Sequence, residues 1–563
     1  MIQVQNYING LHFNNLRGDI YGGLTAAVVA LPLALAMGVA SGAGPIAGMY
    51  GAIFVGFFAA LLGGTPAQVS GPTGPMTVVM AGIFTQFTGL FPGDPATGAA
   101  LAFTVVIMGG LFQIAFGILK IGKYIQLVPH PVVSGFMSGI GVIIILIQIG
   151  PLLGHAPTAK PLAAALAMPG HLSSPQQTAL ILGLLTLAIV YLIPKLLPKL
   201  NKLMPSPLLA LIVGTAFFLF FMDHESAATL GKIPSGLPDP RLPTIMLEHL
   251  GPMIIAALIL AALGSIDSLL TSLVADNVTR TYHKSDRELI GQGIGNTIAG
   301  IFGGLPGAGA TMRTVVNVKA GGLTPLSGAL HALILLVIVL GASGLASHIP
   351  NAVLAGILVK VGTDIIDWEY LKKVHRAPLA GVVIMLVVLI MTVFVDLMIA
   401  VGTGMVMSSL VFLKRMTDLQ IESLKITTSE QSEMPLNDNE KEFMTNAGGR
   451  ILLFSLGGPM SFGSAKNMAK MLSTYKNYDV LVLDVSTVPL IDFTSCKAVS
   501  EIIMDAHSLH RHVMLVGAKG KVLATLTKQQ VVGLIGSDNI FQLRELALAE
   551  AFATVQNSGN IED

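Results

Sequence analysis

Charge is what this chain has least of. Lys, Arg, Asp and Glu make up 11% of its 563 residues, where a soluble protein of this length carries about 25%. That is too few to cover a water-facing surface, so most of the chain must be solvated by lipid. A net charge of +1 excludes the basic bias of a nucleic-acid binder. Cys496 is the only cysteine, which excludes an intramolecular disulfide and a cysteine-based metal site. The first sixteen residues lack the basic start and short apolar core of a signal peptide, so the first apolar segment is expected to stay as a membrane helix. No P-loop, metal-ligand cluster or nucleophile–base pair stands out, which argues against an enzyme and against a bound cofactor.

What the chain does have is long apolar runs. Asp94 is the only Asp, Glu, Lys or Arg between Ile20 and Leu119, a stretch that holds about four spans at roughly 20 residues each. The same criterion places fourteen helices near 20–40, 45–63, 72–90, 98–118, 131–153, 176–194, 207–222, 251–275, 289–303, 310–320, 327–345, 349–361, 378–394 and 396–413. Basic residues follow the even-numbered helices: Lys120 and Lys123; Lys195, Lys199 and Lys202; Arg280, Lys284 and Arg287; Lys372, Lys373 and Arg376. Loops after odd-numbered helices carry few, so both termini are expected on the cytoplasmic side. Residues 1–414 thus form a transmembrane transport domain. Residues 415–449 are polar and read as a linker. In 450–563, "RILLFSLGGPMSFGSAKNMAKML" and "DVLVLDVSTVPLIDFTSCKAVSEII" each give a strand followed by a helix, the pattern of a small α/β domain.

One acid stands where lipid makes it expensive. Asp267, in "AALGSIDSLLTSLVADN", costs about 3 kcal/mol or more at the centre of a span and is a functional-site hypothesis by default. Thr271 lies four residues on, so its hydroxyl shares a helix face with the carboxylate. That pair suits Na⁺, suits a proton, and also fits a neutral acid that braces two helices. A second feature is "GLPGAGATMRTVVN" (304–317), where glycines and a proline interrupt the apolar pattern before Arg313. "SGPTGPMTVVM" (70–80) has the same plan, with Met76 in the place of Arg313. Broken helices in corresponding positions of two halves point to a transporter's central site. Two helix N-termini facing one place make an anion site, which Arg313 would strengthen unless it only pairs with Asp267. Asp364 and Asp367 are expected to cap a helix end with Trp368 at the interface, and Asp396 to serve the N-terminus of the last helix.

"LPLALAMGVASGAGPIAGMYGAIFVGFFAALLGGTPAQVSGPTGPMTVV", "SIDSLLTSLVADNVTRTYHKSDRELIGQGIGN" and "GAGATMRTVVN" resemble the SulP anion-transporter family, and within it the BicA-type bicarbonate transporters. The resemblance spans nearly the whole chain. It implies an α-helical polytopic membrane protein with fourteen helices in seven-plus-seven inverted repeats, divided into core and gate domains, plus a C-terminal cytoplasmic STAS domain. It implies a homodimer in the bacterial cytoplasmic (inner) membrane. By the same resemblance a Na⁺ site falls on Asp267, Thr271, Gly309, Ala310 and Thr311, and an anion site on Thr73, Gly74 and the segment around Met312, beside Arg313. The expected function is secondary active, Na⁺-coupled bicarbonate uptake. Arg313 departs from the bicarbonate members, which carry a small residue there, so a proton-coupled dicarboxylate or sulfate carrier remains an alternative, as does an anion channel. Phe493 stands where related STAS domains carry a phosphorylated serine, so control by that phosphorylation is not expected.

Overall fold

In lipid every backbone polar group must find its partner within the segment, which leaves the helix as the default span. The computed structural model describes residues 8–125, 128–158, 160–223, 227–230, 239–395, 397–429 and 434–559. Among them the apolar runs form α1 (Leu16–Ala40), α2 (Pro45–Leu62), α3 (Gly74–Leu90), α4 (Pro95–Ile118), α5 (His130–Leu152), α6 (Gln177–Leu196) and α7 (Ser206–Phe221). The second seven are α8 (Leu250–Thr279), α9 (Ser285–Ile301), α10 (Thr311–Lys319), α11 (Pro325–Ala346), α12 (Asn351–Ile365), α13 (Leu379–Phe394) and α14 (Leu397–Glu422). Seven of these, α1, α2, α4, α5, α6, α8 and α14, are long and apolar enough to cross a bilayer by length and composition. Asp396 lies outside the described residues.

Packing sorts the helices into two groups, the core and the gate. α1–α4 pack with α8–α11, while α5–α7 pack with α12 and α13. Small residues permit the closest approaches, as in other membrane bundles. A Cβ on Gly293 of α9 would stand 2.6 Å from the carbonyl oxygen of Gly110 on α4, so backbone meets backbone there.

The two halves join at a short ribbon. Two-residue strands β1 (Ser70–Gly71) and β2 (Ala308–Gly309) pair antiparallel, with Gly71 opposite Ala308. Those two are 237 residues apart, as are Met76 and Arg313, and as are Thr73 and Ala310, the N-cap residues of α3 and α10. A residue that pairs with its own repeat mate is what a two-fold axis between inverted halves requires. A Cβ on Gly307 would lie 2.5 Å from the Gly71 carbonyl carbon, so the approach of the strands depends on glycine.

The chain divides into two compact units, Met1–Met405 and Val406–Asp563. The second holds a five-stranded sheet ordered β3 (Lys425–Thr427), β4 (Ile451–Gly457), β5 (Val480–Thr487), β6 (His512–Val516) and β7 (Ile540–Phe541). β4 to β7 run parallel and β3 pairs antiparallel to β4. β4 and β5 are apolar almost throughout because both sheet faces are covered.

Within residues 415–449, expected to be a linker, the described residues include regular elements. α14 runs on to Glu422, β3 adds an edge to the sheet, and α15 (Asp438–Asn446) opens on a capping box of Asn437 and Glu440. These elements are short and polar outward, so composition alone reads them as solvated chain. A further helix, Pro161–Ser173, falls between two predicted spans.

Candidate functional site

α8 supplies the site's carboxylate. Asp267 and Thr271 share one face of it, with Ser268 and Ser272 beside them; Asp267 is 6% exposed and the other three are fully buried. The Thr73 hydroxyl donates to Asp267 Oδ2 at 2.7 Å. Thr271 donates to the Gly309 carbonyl at 2.9 Å and lies 2.8 Å from the Thr311 hydroxyl, while the Gly309 N–H donates to Ser268 Oγ at 3.1 Å. One carboxylate among hydroxyl and carbonyl oxygens suits a hard cation rather than a transition metal. Among the described residues no cluster of three or more His, Cys, Asp or Glu could hold a metal ion.

The N-termini of α3 and α10 meet at the same place. Their first-turn N–H groups have no partner within their own helices, and neither N-cap side chain supplies one, so they face the space between with partial positive charge. That space is a cavity of 230 Å³ lined by Thr73, Gly74, Asp267, Gly309, Ala310, Thr311, Met312 and Arg313, room for a small anion and several waters. The opposite wall comes from the gate helices, through Met137 of α5 and Val361, Asp364 and Ile365 of α12. Thr271 stands behind the wall rather than in it and acts through Gly309 and Thr311. Arg313 is 2% exposed and donates from Nη2 to the Pro72 carbonyl at 2.5 Å. No ion pair joins it to Asp267 among the described residues. A buried guanidinium without a bonded carboxylate calls for another counter-charge, and the cavity beside it is where an anion would supply one.

The sulfate permease family signature matches residues 16–388, and a STAS domain signature matches 442–547. The chain belongs to the sulfate permease family. It is 46% identical over 544 residues, 96% of this chain and 95% of the other, to the bicarbonate transporter BicA of Synechocystis sp., and 47% identical over 548 residues, 96% of each chain, to BicA of Picosynechococcus sp.. The putative sulfate transporter YvdB of Bacillus subtilis is 30% identical over 541 residues, 94% of this chain and 97% of the other. Among solved structures, the transmembrane domain of a cyanobacterial BicA aligns with a TM-score of 0.64 at 50% identity, covering 70% of this chain and all of that one. The fold is also that of murine Solute Carrier 26 family member A9, with a TM-score of 0.82 at 18% identity over 98% of this chain and 94% of that one.

Sequence reasoning missed what holds this permease site in place. Glu288, Gln292 and Asn296 form a polar stripe along α9 at four-residue spacing. Glu288, one residue before the span expected at 289–303, is 1% exposed. It accepts from the backbone N–H groups of Gly64 and Thr65 at 2.8 and 2.9 Å and from the amides of Gln68 and Gln292, both at 2.8 Å. Gln292 also donates to the Ser70 hydroxyl at 2.6 Å. Asn296 clasps Gly307 at both backbone groups, at 3.0 and 2.7 Å. α9 thereby fixes both strands of the ribbon that aims α3 and α10. A polar residue at every fourth position of a membrane helix was the available signal. Asp364 is also placed differently from expectation. It pairs with Lys360 on α12 and lines the cavity, while Asp367 alone caps a helix, accepting from the Tyr370 N–H at 3.0 Å.

Proposed function

We propose that this chain is a secondary active carrier that takes up bicarbonate with Na⁺, working as a homodimer in the bacterial cytoplasmic membrane with both termini in the cytoplasm. The observation that carries this reading is the buried Asp267 carboxylate set against two facing helix N-termini across one cavity. The two named bicarbonate transporters, 46% and 47% identical along almost the whole length, support the choice of anion. Na⁺ would take the Asp267 carboxylate with oxygens of Thr73, Gly309 and Thr311, Thr271 holding the last two in position. The anion would take the first-turn N–H groups of α3 and α10 with Arg313. The two ions would then sit as neighbours of opposite charge in one cavity, so each would favour the binding of the other, which is coupling in physical terms. The core and gate helix groups meet across this cavity, so relative movement of the groups would expose it to one side or the other.

A proton-coupled dicarboxylate or sulfate carrier is the second reading. Arg313 favours it, because a guanidinium in the cavity can balance a second negative charge. The test is uptake of labelled bicarbonate and labelled sulfate into proteoliposomes with an imposed Na⁺ or H⁺ gradient. Bicarbonate uptake that follows the Na⁺ gradient is expected; sulfate uptake that follows the H⁺ gradient replaces the first reading by the second.

A further inference from the structure

Three cavities lie in line between the two helix groups, joined through shared residues. The cavity holding Asp267 meets a neck of 20 Å³ at Met37 and Gly74. The neck in turn meets another cavity, of 280 Å³, at Ala40, Gln148 and Leu358. Along this line the lining advances from Leu33 to Ala40 on α1 and from Met137 to Pro151 at the end of α5, and retreats from Ile365 to Asn351 on α12. Helices α1 and α5 cross in one sense and α12 in the other, so all three agree on the direction. From Ile365 to Asn351 the route covers about 21 Å at roughly 1.5 Å per residue, most of a hydrocarbon core. The far cavity therefore opens on the side opposite to the first. In the orientation proposed above, that side is the outside.

The chemistry of the far cavity differs from that of the first. Among the described residues no Asp, Glu, Lys or Arg lines it; its polar side chains there are Gln148, His155 and Asn351. His155 Nε2 and Asn351 Oδ1 are buried with no hydrogen-bond partner among the described residues. The His155 ring is stacked on His171, centroids 4.3 Å apart and planes 14° from parallel, which holds it in place. Buried polar atoms in native folds are partnered, so these take their hydrogen bonds from what fills the cavity, water or a polar ligand. Without a carboxylate the cavity does not suit a cation. Without a fixed positive charge it cannot repay the dehydration of a dianion. Two amides and an imidazole both donate and accept, which matches an anion that does the same.

We propose that this outer cavity is a receiving site, where a singly charged, protonated oxyanion trades part of its hydration shell for Gln148, His155 and Asn351 before the neck opens. The proposal rests on the inner cavity being the transport site and adds a second, weaker stop on the way to it. Gln148 borders both the neck and the outer cavity, so it is the residue that passes the anion on.

Two measurements on the full chain in proteoliposomes test it. In a Cys496→Ala background, Ala40→Cys and Ile365→Cys are labelled with a membrane-impermeant thiol reagent from each face. Ala40→Cys should react from the outer face and Ile365→Cys from the inner; labelling of both from one face overturns the route whatever is transported. Next, bicarbonate flux is measured in both directions for Gln148→Leu. The half-saturation concentration from outside should rise at least about tenfold, the worth of one hydrogen bond to an anion. That from inside should stay constant while its maximal rate falls in step, since a carrier cannot shift the equilibrium. An unchanged outer value, or equal changes on both faces, overturns the receiving site. If the native chain carries no bicarbonate, the transport reading has failed; if it carries sulfate instead, the preference for a single charge falls with it and the labelled route still stands.

Discussion

α3 and α10 are matched in backbone and unmatched in chemistry. Both begin 237 residues apart, each just past a two-residue strand, and each offers its first-turn N–H groups to the same cavity. Yet α10 brings Arg313 where α3 brings Met76. The asymmetry goes further back. α8 presents Asp267, while the buried middle of α1, from Ala26 to Gly38, carries no ionisable side chain. Repetition of the backbone builds a place for a negative ligand twice over. Only the second half decides what that ligand is paired with, so the cavity is symmetric in shape and polarised in charge.

The largest effect should come from removing that polarity at its acid. Asp267→Asn keeps size and hydrogen bonding but loses the charge. Two unit charges about 4 Å apart attract by roughly 4 kcal/mol at an effective dielectric near 20, so Na⁺-driven uptake should fall at least about a hundredfold with thermal stability nearly unchanged. Normal uptake would make Asp267 a brace. Glu288→Gln attacks the support instead of the site. Four donors converge on that carboxylate, and an amide has one oxygen with which to receive them. Stability should drop by about 2–4 kcal/mol, read as a lower unfolding temperature, with the preference for Na⁺ over other cations retained. An altered preference would move Glu288 from support to site. Arg313→Met makes the second half copy the first. Anion affinity should weaken about tenfold while the Na⁺ half-saturation stays within about twofold; unchanged affinity would mean that the helix N-termini suffice. Phe493→Ser should do least. The ring is 65% exposed at the start of α16 (Phe493–Ser508), after a cap in which Ser495 N–H donates to Asp492 at 2.7 Å. Uptake by the unphosphorylated variant should stay within about twofold of the parent, and a larger change would give that surface a part in transport.

Much of this was legible in the sequence for a specific reason. Lipid forces each span to satisfy its own backbone, so fourteen apolar runs could become little other than helices, and an acid such as Asp267 among them had to matter. The glycine and proline breaks before Met76 and Arg313 likewise announced two helices that start beside each other. Failures came where tertiary contacts outweigh composition. Glu288 sits beside Arg287 and Lys284 in sequence, which read as a solvated loop, but its helix begins at Ser285 and turns the acid inward. Thr271 shares Asp267's face as its spacing implies, but its bonds to Gly309 and Thr311 were not readable from that spacing. β3 owes its existence to β4, a partner more than twenty residues away, so local pattern gave no sign of it.

The pairing of Gly71 with Ala308 also sets a clock. A strand that needs residue 308 cannot form while the ribosome is still making residue 100. At about 5–20 residues per second, the first half waits roughly 10–50 s for its other strand, with α3 inserted and its N–H groups unanswered. Nothing in the first half can stand in, since its mate is by construction 237 residues away. The ribbon therefore forms only after nine of the helices have been made, and a chain cut short between the halves has helices of a carrier without a place to bind.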